Sequence, residues 1–302
     1  MIKKLNQSLV LACVFILTTV PSSTFAVDLR PRVTVIYDAL IGKQPDVSRG
    51  WGYSVLVEHG GKRILFDTGG QYGGFATNTK KLGIDLKSLD FVVLTHRHGD
   101  HTSGMAYVLQ QNPKVKIYAP LETGSFGSPT SPPVVRLASR RVADTPDDLH
   151  YFDGDKATVD SPWPGANISQ IDKSVEVLPG VFLFRTVSEN KGTLELNELS
   201  MAIKTSKGLA VFVGCSHPGI EKILATAAEI DPNIYSVFGG MHLTDATDQQ
   251  VANIVENFKV KWKVERVAPG HCTGELAQSL FTKQFGTNHD HAGVGEVISL
   301  PQ

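Results

Sequence analysis

The chain has 302 residues; with the first 26 read as a removable export signal, 302 − 26 = 276 remain, enough for one large domain or two small ones. Hydrophobic residues at 41% and charged residues at 20% belong to a packed globular protein and exclude disordered, collagen-like and coiled-coil chains. Lys+Arg 29 against Asp+Glu 30 leaves a formal charge of −1, so there is no global basic field to hold nucleic acid or an anionic membrane, and a small-molecule substrate is the expected partner.

The N-terminus carries two lysines, an apolar stretch over residues 9–20 and small residues before a cut expected after Ala26. That stretch is too short for a comfortable span, and no other segment approaches the roughly 18 apolar residues a span needs, so no stable membrane insertion is expected. The expected location is the periplasm or the outside of the cell. A lipoprotein would use Cys13, but bulky Leu11 before it and the apolar run beyond it argue against that.

Along the chain, β-branched runs over residues 33–57 and the segment Ile64-Leu65-Phe66 predict strands, the last ending in the turn Asp67-Thr68-Gly69-Gly70. A polar helix is predicted around residues 78–82, then a buried strand at Phe91-Val92-Val93-Leu94, which delivers Thr95-His96-Arg97-His98-Gly99-Asp100-His101. A helix over Met105, Val108 and Leu109 should stop at Asn112-Pro113. Residues 120–172 are rich in Pro, Gly, Ser and Asp and read as a lid or insertion. There Arg136, Arg140 and Arg141 suit a solvated face or an anionic substrate group, and Tyr151, Phe152 and Trp163 suit either packing or a cover over the site.

Beyond it, strands at residues 209–213 and 235–238 and near 264–267 end in Gly-Cys-Ser-His, Gly-Gly-Met-His and Pro-Gly-His-Cys, with helices predicted over 220–230 and 248–259. Strands that each release turn or metal-competent residues at their C-terminal ends predict an α/β fold with the site at one rim. His96, His98, Asp100 and His101 put four ligand-type side chains into six positions after a buried strand. Imidazole and carboxylate suit zinc, and iron or manganese as well. His289-Asp290-His291 imitates half of this pattern but lacks a buried strand before it and reads as a solvated turn.

The motif His96-x-His98-x-Asp100-His101, with Phe66-Asp67-Thr68-Gly69 before it, resembles the metallo-β-lactamase superfamily of metal-dependent hydrolases. GCSHPG from Gly214, GGMHL from Gly239 and PGHCTG from Pro269 resemble its dihydropterin synthase-like, or ribofuranosyl-aminobenzene-phosphate synthase-like, branch. The resemblance implies one αββα sandwich over residues 27–302, two sheets face to face with helices outside, holding one or two ions in a dinuclear zinc-type site. It assigns His96 and His98 to a first ion, and Asp100, His101 and His271 to a second. The family's third histidine for the first ion is missing from residues 188–200; His217 is the better substitute and Glu198 the weaker. Cys215 stands where relatives carry a bridging aspartate, as a ligand or as a neighbour of the ligands. Asp67 is implied to orient a ligand histidine. His242 is implied as ligand, proton donor or substrate contact, and Asp100 as steering the water nucleophile. Cys215 and Cys272 could pair in an oxidising compartment, but the branch motifs containing them predict free thiols beside the metals.

The activity implied is an exported metallo-hydrolase acting through a metal-activated water on an ester, phosphodiester or related bond. The alternatives are a lactam or lactone hydrolase and a low-turnover pterin- or metal-binding protein.

Overall fold

A computed structural model describes residues 31–122, 126 and 163–302. Residues 1–26, Arg136, Arg140, Arg141, Tyr151 and Phe152 lie outside the described residues.

The first sheet contains β1 (Arg32–Tyr37), β2 (Ser54–His59), β3 (Lys62–Phe66), β4 (Phe91–Val93), β5 (Lys116–Pro120), β6 (Ile168–Ile171) and β13 (Val297–Ser299), in the order β13-β1-β2-β3-β4-β5-β6. The second contains β7 (Val175–Leu178), β8 (Val181–Val187), β9 (Asn197–Thr205), β10 (Gly208–Val213), β11 (Ile234–Gly240) and β12 (Arg266–Gly270), in the order β12-β11-β10-β9-β8-β7. Helices α1 (Tyr72–Lys81), α2 (Gly99–Thr102) and α3 (Met105–Gln111) belong to the first half, and α4 (Ile220–Ala228), α5 (Asp248–Val260) and α6 (Glu275–Phe285) to the second.

The period-2 geometry of strands sorts their side chains between layers. On β10, Ala210 and Phe212 face the first sheet, while Leu209, Val211 and Val213 join the cluster formed with α4, α5 and α6. On β3, Ile64 and Phe66 enter the layer between the sheets and Leu65 packs on the α1 and α3 side. Both faces are therefore covered, and for that reason these strands read as continuous apolar runs. The result is the αββα sandwich.

Phe212 fixes the centre of the sandwich, stacked on Phe238 at 4.8 Å between ring centroids and 6.1 Å from Phe66 across the sheets. Phe212→Ala should cost about 3–5 kcal/mol, because a close-packed interior cannot collapse into the void. Urea denaturation checks this; a midpoint within error of wild type would contradict it.

Three expected boundaries shift. The helix expected around 78–82 begins at Tyr72, because Gly73 and Gly74 hide it from propensity; a Cβ on Gly74 would lie 2.9 Å from the Tyr37 ring. The last strand of the second sheet runs to Gly270 through Pro269, a residue tolerated because β12 is an edge strand. The irregular stretch expected over 120–172 ends in order, since β6 pairs in parallel with β5. Trp163 packs with Ala166 and Ile168 on the outer core of the first sheet, which removes it from a cover over the site.

The parallel strands β3-β4-β5 and β10-β11-β12 end at one rim. Thr95 O there accepts from Leu199 N–H at 2.8 Å, and Gly214 approaches so closely that a Cβ would fall 2.3 Å from Thr95 Oγ1. The two sheets thus bring their C-terminal loops into contact.

Candidate metal centre

Asp67, directly after β3, is fully buried and organises the histidines delivered by β4. Its Oδ1 accepts from Thr95 N–H and its Oδ2 from the Thr95 hydroxyl, both at 2.8 Å. With that hydroxyl committed as a donor, His96 Nδ1, 2.9 Å away, must donate to it. His101 Nδ1 donates to Asp67 Oδ2 at 2.6 Å. One carboxylate therefore sets two tautomers and leaves Nε2 of His96 and His101 as free lone pairs, as the resemblance implies for Asp67.

Two donor sets face those lone pairs. In the first, His98 Nδ1 lies 3.1 Å from both His96 Nε2 and His217 Nε2. In the second, His101 Nε2 is 3.0 Å from Cys215 Sγ and 3.2 Å from His271 Nε2, which is 3.2 Å from Cys215 Sγ and 3.3 Å from Asp100 Oδ2. Nitrogens on a tetrahedral zinc with bonds of 2.0–2.1 Å stand about 3.3 Å apart, so these spacings match an ion's ligand shell. Cys215 groups both with His96 and His217 and with Asp100, His101 and His271. The thiol therefore stands between the sets.

Electrostatics suit a cation. Burial, together with the neighbouring imidazoles, holds His96 well below the usual histidine range and His217 down to about 3, so both keep their lone pairs at neutral pH. Burial works to raise Asp100, but hydrogen bonding from His271 and the charge of His101 hold it below the usual carboxylate range. Burial lowers His271, yet hydrogen bonding with Asp100 and Cys272 outweighs it and raises its pKa. Gly52 N–H donates to His271 Nδ1 at 3.2 Å, which puts the ring proton on Nε2; cation uptake there must expel it.

Glu198, the weaker ligand candidate, is turned away from the donor sets. Its Oε1 accepts from Cys215 N–H (2.9 Å) and Ser216 N–H (2.7 Å), and its Oε2 from His217 N–H (2.8 Å). It holds the loop that presents Cys215 and His217, and burial raises it to about 7 despite those bonds. Glu198→Ala leaves three buried N–H groups without an acceptor and should cost about 2–4 kcal/mol. A thermal melt checks this; an unchanged melting temperature would show that the loop does not depend on the carboxylate.

His242, after β11, holds its ring 4.4 Å from His217 and lines a cavity of about 510 Å³ between α4 and α5. Met241, Leu243 and Ile254 give that cavity an apolar wall, and Gln250, Asn253 and Asn257 an amide one. Cys215 and Cys272 are free and buried. Four non-glycine residues at this rim adopt left-handed backbone: Asp67 (φ 56°), Ser216 (65°), His242 (47°) and His271 (48°). Such strain persists only where surrounding contacts enforce it.

The sequence reading missed Asp38, whose Oδ1 and Oδ2 accept from His271 N–H at 3.1 and 2.9 Å, and Trp51, whose ring lies 4.9 Å from His271. Asp38 directly follows β1 as a lone aspartate after an apolar run, the one signal it gave. The late His289-Asp290-His291 is structural: Asp290 pairs with Arg266, and His291 Nε2 lies 2.7 Å from Ile41 O.

A sequence profile of the metallo-β-lactamase superfamily matches residues 49–182. It is 28% identical over 277 residues to the 7,8-dihydropterin-6-methyl-4-(β-D-ribofuranosyl)-aminobenzene-5′-phosphate synthase of Methanocaldococcus jannaschii, covering 83% of this chain and 90% of that one. Among solved structures it is similar to Tm1679, described as a metal-dependent hydrolase of the β-lactamase superfamily (TM-score 0.67, 26% identity, 90% of this chain and 100% of that one). The metallo-β-lactamase fold protein YhfI of Bacillus subtilis shares the fold (TM-score 0.54, 15% identity, 89% of this chain and 99% of that one).

Proposed function

We propose that the protein is an exported metal-dependent hydrolase with a two-ion centre of the zinc type, acting on an ester, phosphodiester or related bond of a small molecule. The observation that carries this is the pair of donor sets on either side of Cys215. Ions bound there would lower the pKa of a water toward about 7 and polarise the attacked oxygen. Asp100 is 20% exposed at its side chain and offers a carboxylate to orient that water. His242 stands on the cavity wall, where a leaving group would pass, as a proton donor. Burial lowers its pKa, but the hydrogen bond with Cys272 outweighs this and raises it, favouring the protonated ring. The amide wall gives the non-reacting part of a substrate neutral hydrogen-bonding partners.

Export rests on the pattern of residues 1–26, which places the protein in the periplasm or outside the cell. Among the described residues no helix is long and apolar enough to cross a membrane. A second reading, group transfer on or binding of a pterin, is favoured by similarity to a relative whose name carries a dihydropterin, across 83% of this chain.

The test is a turnover screen of zinc-, manganese- and iron-loaded protein on phosphodiesters, esters, lactones and lactams, with pterin fluorescence quenching in parallel. Metal-dependent ester or phosphodiester cleavage supports the proposal. Lactone or lactam cleavage alone would redirect the substrate class, and pterin binding without hydrolysis would favour the second reading.

A further inference from the structure

Beside the two donor sets lies a softer one. Cys215 Sγ, Cys272 Sγ and a ring nitrogen of His242 all lie within 4.8 Å of one another. The two cysteines are 3% and 1% exposed, and both are free thiols. His242 Nδ1 is buried with no hydrogen-bond partner. Cys272 is not packed as a small apolar residue would be. Its sulfur lies 3.6 Å from Cys215 O and hydrogen-bonds with Cys215, His242 and His271. The end of β11 leaves room beside it, since a Cβ on Gly240 would fall 2.8 Å from Cys272 Sγ. His242 reaches this sulfur from a left-handed backbone position that a β-carbon normally avoids.

We propose that Cys215, Cys272 and His242 form a sulfur-rich cation site, separate in donor type from the two histidine and carboxylate sets and sharing only Cys215 with them. Two thiolates cancel the charge of a divalent ion, and two cysteines with one histidine leave a fourth position open, the arrangement of some catalytic zinc sites. Of the three residues, His242 lines the cavity between α4 and α5. Loading releases the two thiol protons, and the extra proton of a protonated His242 ring, to solvent as two sulfur–metal bonds and one nitrogen–metal bond form. Because one sulfur is shared, the softness of the ion decides where it goes. A strongly thiophilic cation such as cadmium is drawn to the sulfur pair; manganese stays with imidazole and carboxylate. Occupancy of the sulfur set also removes His242 as a proton donor.

The test compares cadmium and manganese on the full chain and on Cys272→Ser. In wild type, cadmium–thiolate charge-transfer absorption should report two sulfurs, and in Cys272→Ser it should fall by about half, while manganese stoichiometry from equilibrium dialysis stays the same. Equal cadmium absorption in the two proteins would overturn the proposal, and so would an equal loss of manganese binding, which marks Cys272 as merely structural. If Cys272→Ser does not fold, cadmium-edge X-ray absorption on wild type decides. A shell with two sulfurs and one nitrogen at the first equivalent supports the site; one sulfur or none rejects it. Neither readout depends on turnover, so the hydrolytic proposal can fail without affecting this one.

Discussion

Replacing His96 and His98 together by alanine removes at least one equivalent of transition metal per chain and abolishes metal-dependent turnover. The two side chains supply two of the three nitrogens of the first donor set, and His217 alone cannot retain an ion in competition with water. Closed structural zinc sites contribute about 10–16 kcal/mol, so losing most of one shell outweighs any repacking at the rim. The fold should survive, because the apolar layer between the sheets does not include either histidine. Metal analysis after dialysis, paired with circular dichroism, measures both expectations. Unchanged metal content in the folded double variant would remove the first set from the site.

The second large effect belongs to a residue that does not belong to either donor set. Asp67→Asn should reduce metal affinity by about 10–100-fold. The amide keeps one acceptor oxygen but sets its N–H₂ group either against Thr95 N–H or against both the Thr95 hydroxyl and His101 Nδ1, so either the backbone contact or the arrangement that fixes both tautomers is lost. Both donor sets are touched, since His96 belongs to the first and His101 to the second. Competition with a chromophoric chelator reads the affinity directly. An affinity within twofold of wild type would mean that ring orientation is set by packing alone.

Much of this centre was legible in the sequence because the rim residues come from short motifs at strand ends. His96 to His101 could be read from spacing, and His217 could be read as the replacement for a missing histidine because it follows the buried run of β10. The role of Glu198 could not, since a buried carboxylate can serve a metal or a backbone loop equally well in sequence. Only the fold shows both of its oxygens taken by the amides of Cys215, Ser216 and His217. Asp38 was hidden for a related reason: it acts on His271 from 233 residues away, and no local pattern records a contact of that range. Strands β7, β8 and β9 escaped because their boundaries carry polar residues such as Glu176 and Asn197, and antiparallel pairing rather than composition assembles them. The Gly-Gly pair disguised the start of α1, and edge position made Pro269 acceptable within β12.

The central claim is that Cys215 stands between two cation-binding sets, and anomalous diffraction from manganese-loaded crystals recorded at the manganese edge tests it most directly. The account predicts two peaks separated by about 3.5–4 Å, one among His96, His98 and His217 and the other among Asp100, His101 and His271, with Cys215 Sγ between them. A single peak, or peaks lying away from these side chains, would contradict it.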